Sequence, residues 1–403
     1  MKKITILLAA ALLPLLARAT DNYTVIVSLD GFRWDYAEAF NTPFFDMMAR
    51  QGCKATMMPS FPSKTFPNHY TLATGLYPDH HGIIGNSFRI RATGKTYSIS
   101  SKNDERNNPA NYGGEPIWLT AKRQGVKTAT IYWVGSDVPV QGQHPDYWRD
   151  YAKWPLLSFD ERVKEVITHL QRPEKERPRL IMCYFNQPDH DGHSYGPMNR
   201  LHTRKSVEYL DSLLWNMWAR ITMLPEVGKR VNLIVTSDHG MTWLDPARRV
   251  SPKRYIKDEW GCYISGDSPA LVYCKSPAIA DSVVNALQNV DHLRVWRRGE
   301  VPQYLHFGTN ENMGDVIVST DLGWLFTDRT VKAGTGGHGF DHTASDMMVA
   351  FRAVGPDFRV GHTHPGPFPN VDVYPLLCRL LGIVPAPCDG NVDDIADMLR
   401  PAQ

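Results

Sequence analysis

An α/β fold, with a mostly parallel central sheet flanked by helices, is what this sequence predicts. Apolar, β-rich runs at Tyr23 to Leu29, Thr128 to Trp133, Leu180 to Asn186 and Val231 to Thr236 are continuous rather than alternating, as in strands buried on both faces. Helical patterns lie between them, at Thr42 to Gln51, Phe159 to Leu170 and Arg200 to Leu224, and this alternation is that of a doubly wound sheet. Three such runs lead into an aspartate, at Asp30, Asp189 and Asp238. Open α/β sheets place ligands outside the carboxyl ends of their strands, so the three carboxylates are expected along one edge.

Length and composition support a globular chain. It has 403 residues, 42% hydrophobic and 21% charged, enough apolar material for a large core. Residues 1–19 read as an export signal: Lys2 and Lys3, an apolar run from Ile4 to Leu16, and Ala17-Arg18-Ala19 as a cleavage site. The run is short of the roughly 20 residues a spanning helix needs, and no later segment qualifies, so no membrane span is expected after signal removal. The expected location is periplasmic or extracellular. Loss of Lys2, Lys3 and Arg18 leaves 41 basic residues against 42 acidic. No polybasic tract survives for nucleic acid or an anionic membrane.

Candidate site residues run from Asp30 to His338 and must converge, so residues 20–403 are read as one catalytic domain. The segments from Gly135 to Pro155 and from Pro252 to Gly314, richer in aromatic, Pro and Gly residues, read as insertions over the ligand edge or a small cap. Six cysteines in an exported chain are free to pair. Close spacing favours Cys262 with Cys274 and Cys378 with Cys388, leaving Cys53 and Cys183 as buried thiols. Oligomeric state is not legible.

Asp30-Gly31, Thr65, Asp189 to His193, Asp238-His239 and His338 carry the residue types of a metal-assisted phosphoryl-transfer site. Carboxylate oxygen with imidazole nitrogen suits Zn²⁺, and there are donors enough for two ions. Asp189 and His193 are four apart, close enough on a turn or helix start to share one ion. Asp-Gly after a strand is also the composition of a simple turn. Thr65 precedes Pro67, favoured in a first helical turn, and Asn68 to Thr74 continue to Gly75. A hydroxyl there is a candidate nucleophile, favoured as alkoxide by the helix N-terminus and a cation; it is equally placed to be an N-cap.

The runs Phe61 to Pro78, His81 to Asn86, Gly114 to Trp118, Pro188 to Pro197, Ser237 to Met241, Gly337-His338-Gly339 and Asn370 to Tyr374 resemble the nucleotide pyrophosphatase/phosphodiesterase family of the alkaline phosphatase superfamily. The resemblance implies an alkaline phosphatase-like fold and two Zn²⁺ per chain. It places Asp189, His193 and His338 on one ion, and Asp30, Thr65, Asp238 and His239 on the other. It makes Thr65 the nucleophile and gives Asn86, with the Phe66 backbone N–H, a phosphate oxygen to hold. His69, His80, His81, His190 and His342 fall outside the motif.

Within that family, nucleotide-cleaving members keep a segment that lysophospholipid-cleaving members lack. Here it runs from Gly135 to Tyr151, implying a nucleotide or nucleotide-diester substrate, with the base between Phe66 and Tyr151. A choline- or lysophospholipid-directed phosphodiesterase is the rival. A sulfatase is excluded, because Thr65 to His69 has neither end of a Cys/Ser-x-Pro-x-Arg run. The match drifts between Ser101 and Pro109, leaving Lys102 and Arg106 without an assigned role.

Overall fold

The computed structural model describes residues 21–100 and 102–401, so the export signal lies outside the described residues. Eight strands form the central sheet in the order His362–Pro369, Cys53–Met58, Val349–Val354, Val231–Thr236, Tyr23–Leu29, Leu180–Phe185, Thr128–Ile131, Tyr147–Arg149. Val349–Val354 runs antiparallel to both neighbours, and the other pairings are parallel.

The four strands read from apolar runs all form here. Their continuous hydrophobicity follows from burial on both faces. In Tyr23–Leu29, Ile26 packs into one apolar layer with Leu180, Met182 and Ile234, while Val25 and Val27 pack into the other with Ile181, Cys183 and Val235. The helices Pro43–Gln51, Phe159–Leu170 and Thr203–Thr222 cover the second layer. Phe159–Leu170 begins at a capping box, in which the Ser158 side chain and the Glu161 carboxylate satisfy each other's backbone N–H.

Two expectations are corrected. The segment from Gly135 to Pro155 is not wholly laid over the sheet, since Tyr147–Arg149 extends the sheet beside Thr128–Ile131. A period of two is unreadable over three residues. Neither proposed cysteine pair is bonded, and all six thiols are free. Cys262 and Cys274 face each other across the antiparallel strands Tyr263–Ser265 and Ala270–Tyr273 with sulfurs 3.8 Å apart, well beyond the roughly 2.05 Å of a disulfide. Cys53 and Cys183 are buried thiols, as expected.

The segment from Pro252 to Gly314 supplies three strands of a separate four-stranded antiparallel sheet, ordered Tyr263–Ser265, Ala270–Tyr273, Val316–Thr320, Leu293–Arg297, with the helix Pro277–Leu287 packed on it. This is the cap-like insertion the composition indicated. Among the described residues no helix is long and apolar enough to cross a membrane.

Candidate active site at the carboxyl edge of the sheet

Three adjacent strands of the sheet, Val231–Thr236, Tyr23–Leu29 and Leu180–Phe185, deliver Asp238, Asp30 and Asp189 to one edge. The turn after Tyr23–Leu29 depends on glycine. Gly31 has φ +69°, and a Cβ there would sit 3.0 Å from the Cα of Asp189. This close passage lets the Asp189 N–H donate to the Asp30 carbonyl at 2.9 Å, and the Gly31 N–H to Asp238 Oδ1 at 3.2 Å. Asp30-Gly31 is therefore both a turn and part of the site.

The three histidines share one hydrogen-bonding pattern. Nδ1 of His193 donates to the Gly336 carbonyl at 2.9 Å, that of His239 to Gly240 at 2.8 Å, and that of His338 to Ser63 at 2.8 Å. These bonds assign the tautomer: with Nδ1 protonated, each Nε2 keeps a lone pair. All three lone pairs face the carboxylates. Nε2 of His239 lies 3.3 Å from Asp30 Oδ1 and 3.1 Å from Asp238 Oδ2, and Nε2 of His193 lies 3.3 Å from Asp189 Oδ1. A backbone carbonyl fixing one ring nitrogen while the other is free is the usual arrangement of a metal-ligating histidine.

The carboxylates carry a complementary deficit. Asp30 Oδ1, Asp189 Oδ1 and Asp238 Oδ2 are buried without a hydrogen-bond partner. Such acceptors are costly unless a cation or donor meets them. Burial, then repulsion by Asp238 and Asp189, pushes the Asp30 carboxyl well above its ordinary range. Asp238 is held below it: burial works the other way, but His239 and His69 outweigh it. Burial also lowers His239 and His338, which favours the neutral, ligating form. Donor atoms of Asp30, Asp238 and His239 lie within 4.8 Å of one another, as do those of Asp189, His239 and His338. These residues fit divalent cations, by their donors and by their unmet acceptors.

Thr65 opens the helix Thr65–Thr74, which ends at Gly75 with φ +67°. Lys64 holds the N-cap position, so Thr65 is the first helical residue and not the cap. Its hydroxyl turns to the carboxylate edge, where Oγ1 lies 3.1 Å from His239 Nε2. The Phe66 N–H, one of the unpaired donors of a helix start, bonds Asn86 Oδ1 at 3.1 Å. Thr65, Phe66 and Asn86 are thus brought together.

Tyr151 packs edge-on against Tyr132 and Tyr184, with centroids at 5.5 and 6.1 Å. Among the described residues no ring contact joins it to Phe66. Arg106 is buried, 5.8 Å over the Phe66 ring, and its guanidinium meets Asp137 at 2.6 Å. It thereby ties the Phe66 side of the site to the Gly135 to Pro155 segment. Lys102 is exposed.

Three contributors were not singled out from sequence. Tyr184 donates its hydroxyl to Asp30 Oδ2 at 2.6 Å. Lys64 donates to the His338 carbonyl at 2.9 Å, and its chain crosses Gly339, where a Cβ would come within 2.2 Å of Lys64 Cε. His69 is fully buried behind the site, 2.9 Å from Ser28 Oγ and 3.3 Å from Asp238 Oδ2. Its position four residues after Thr65, on one helix face, was the available signal. His80, His81, His190 and His342 lie outside the cluster; His80 and His342 face Asp389 and Asp341 instead.

Residues 24–341 match the family described as type I phosphodiesterase / nucleotide pyrophosphatase. Ectonucleotide pyrophosphatase/phosphodiesterase family member 1 of Homo sapiens is 32% identical over 392 residues, covering 94% of this chain and 42% of its own. The venom phosphodiesterase CdcPDE of Crotalus durissus collilineatus is 32% identical over 405 residues, covering 93% and 46%. The chain thus spans less than half the length of these curated relatives. Murine ectonucleotide pyrophosphatase/phosphodiesterase 5 superposes with TM-score 0.87 at 30% identity, covering 94% of this chain and all of that one, and the human protein with 0.86. An inactive threonine-to-alanine variant of the murine protein, in complex with AMP, superposes with TM-score 0.88. With the match over residues 24–341 and an alkaline phosphatase-like sheet, the chain belongs to the type I phosphodiesterase / nucleotide pyrophosphatase family.

Proposed function

We propose that this chain is an exported, zinc-dependent hydrolase of nucleotide phosphodiester and pyrophosphate bonds, working through a covalent phosphothreonine, with residues 20–403 as one catalytic domain. The observation that carries the proposal is Thr65 Oγ1 at 3.1 Å from His239 Nε2, beside three buried carboxylate oxygens without hydrogen-bond partners.

Asp189, His193 and His338 would hold one Zn²⁺, and Asp30, Thr65, Asp238 and His239 the other. The chemistry such a pair supplies is Lewis acidity at the threonine oxygen and at the phosphate oxygens. Thr65 gives its proton to solvent and its oxygen bonds to phosphorus, while the bond from phosphorus to the leaving group breaks and the leaving oxygen takes the electron pair. Asn86 and the Phe66 N–H exchange their mutual hydrogen bond for an equatorial phosphate oxygen. Water then cleaves the phosphothreonine diester and restores the hydroxyl. A nucleoside triphosphate would give a nucleoside monophosphate and pyrophosphate.

Nucleotide preference is supported by the Gly135 to Tyr151 segment and by AMP in the complex of the murine neighbour. Phe66 and Tyr151 are assigned the faces of the base, with stacking on the scale of about 1 to 3 kcal/mol per base. Export is supported by the leader sequence and by the names of relatives as ecto-enzymes and a venom enzyme. The test is hydrolysis of the p-nitrophenyl ester of thymidine 5′-monophosphate beside that of lysophosphatidylcholine. Faster turnover of the lipid would overturn the nucleotide assignment.

A further inference from the structure

A cavity of about 390 Å³ opens over three strands at one edge of the central sheet, Cys53–Met58, Val349–Val354 and His362–Pro369. Its walls include Trp34, Glu38, Lys54, Met348, Arg352 and Pro367, and none of the carboxylates or histidines of the metal cluster. It is a space apart from the hydrolytic site. The two are linked only through backbone: Ser345 and Met348 of its wall flank Asp346 and Met347, whose carbonyls accept the N–H groups of Met241 and Gly240.

Across these strands Arg352 stands in register with Lys54, and Lys54 with Thr363, so two cations face each other on neighbouring chains. Like charges opposite one another in a sheet repel. Among the wall residues Glu38 alone answers them, its Oε1 3.0 Å from Arg352 Nη2, while the Lys54 ammonium has no hydrogen-bond or ion-pair partner among the described residues. One positive charge is left over. Arg352 is 4% exposed, and its Nη1 is anchored by the carbonyls of Phe351 and Ala55 at 3.0 and 3.4 Å. Its Nε is buried without a partner. Burial pulls the guanidinium below its ordinary pKa, against the attraction of Glu38 and of Asp46, which lies outside the cavity wall. A buried cation so placed gains from a further anion.

We propose that this cavity binds a small organic anion with a flat apolar body, of the aromatic carboxylate class. Nε and Nη2 share one edge of the guanidinium, and such an edge takes a carboxylate by two parallel hydrogen bonds. Glu38 meets only the Nη2 end of it. The Glu38 side chain is 56% exposed, so it can turn to water when a ligand carboxylate arrives, and Lys54 supplies the second charge. The rest of the wall suits the body of the ligand. Trp34, Met348, Pro365 and Pro367 are apolar, and Trp34 is exposed, leaving an aromatic surface for a flat ring to cover. A volume of about 390 Å³ lies in the range of small-molecule sites, of roughly 300 to 1,000 Å³. Inorganic phosphate meets the charges but leaves this apolar wall wet.

Calorimetric titration of the zinc-loaded protein with naphthoate tests the assignment. Wild type should take up a single equivalent, and the neutral counterpart naphthylmethanol should bind at least about tenfold more weakly, on the scale of one charge-assisted hydrogen bond. Inorganic phosphate should also bind at least about tenfold more weakly, for want of apolar contact. Lys54→Met should weaken naphthoate about tenfold. Glu38→Gln removes the competing carboxylate and keeps its shape, so it should tighten naphthoate several-fold, a gain that a merely structural role for Glu38 does not give. Both positions reach solvent, and both variants should keep the circular dichroism of wild type. Absence of saturable binding to wild type, binding that neither substitution moves, as for a carboxylate held at the zinc site, or phosphate bound as tightly as naphthoate would each overturn the proposal.

Discussion

His193 and His338 present their Nε2 atoms to each other at 3.1 Å, while the Nδ1 of each is committed to a backbone carbonyl. Two lone pairs at that distance repel unless a cation lies against both. Replacing His338 with Gln should therefore cost one metal ion rather than fold. Elemental analysis of the purified variant should fall from two ions per chain toward one. Diesterase activity should drop at least about 100-fold, the upper end of what even outer-layer metal substitutions cost. Unchanged metal content would remove His338 from the ligand set.

Thr65→Ala separates nucleophile from scaffold. The half-buried hydroxyl can be deleted without opening a large cavity, and six donor side chains for metal remain in place. Activity should fall by about four orders of magnitude or more, the scale on which nucleophile deletions act. Metal content should stay near two ions, and the melting temperature within a few degrees of wild type. Residual diesterase activity near wild-type level would reassign the nucleophile.

Sequence carried the strands and the donors because both are local signals. An apolar run ending in aspartate at Asp30 or Asp238 reads as a strand meeting a ligand edge whatever lies around it. What sequence hid is set by approach between distant segments. Tyr184 sits within a buried strand, where nothing in the alternation distinguishes a tyrosine packed in the core from one whose hydroxyl reaches Asp30. Tyr147–Arg149 is too short to show a period, so its place at the sheet edge follows only from pairing with Thr128–Ile131. The cysteines show the converse error. Close spacing brought Cys262 and Cys274 face to face, as expected, but proximity at 3.8 Å is not a bond.

Tyr184 itself makes the third test. Its hydroxyl is buried, and its bond to Asp30 Oδ2 at 2.6 Å orients the carboxylate so that Oδ1 faces His239. Tyr184→Phe keeps the ring that packs on His69 and Tyr151 but removes that donor. Metal affinity or kcat should fall about 10- to 100-fold. Competition with a chelator of known affinity measures the first and steady-state kinetics the second. If both were unchanged, the hydrogen bond would be structural alone.

His81 sets a pH dependence of stability unconnected with the metal cluster. It is fully buried in the motif after the Thr65–Thr74 helix, its Nδ1 accepting the Ile83 N–H at 3.2 Å, which leaves the proton on Nε2 beside Thr71 Oγ1 at 3.0 Å and the Pro67 carbonyl at 3.2 Å. Burial, only partly opposed by the hydrogen bond to Pro67, pushes its pKa down from 6.5 to about 3. In the unfolded chain the ring titrates near its ordinary value. Between pH 6.5 and 3 the unfolded state binds a proton that the folded state refuses, so stability is full above 6.5 and is lost as pH falls. The slope contributed by one such group is about 1.4 kcal/mol per pH unit at most. His81→Gln cannot titrate. Its stability at neutral pH should be lower, because the amide fits the imidazole's hydrogen bonds less well, but its decline with acid should be shallower by about 1 kcal/mol per unit. Urea melts of both proteins at pH 7, 6, 5 and 4.5 measure the difference directly, and because protonation of the metal-cluster histidines is common to both, the difference in slope belongs to His81. Parallel slopes would mean that the buried ring takes up its proton as readily as an exposed one.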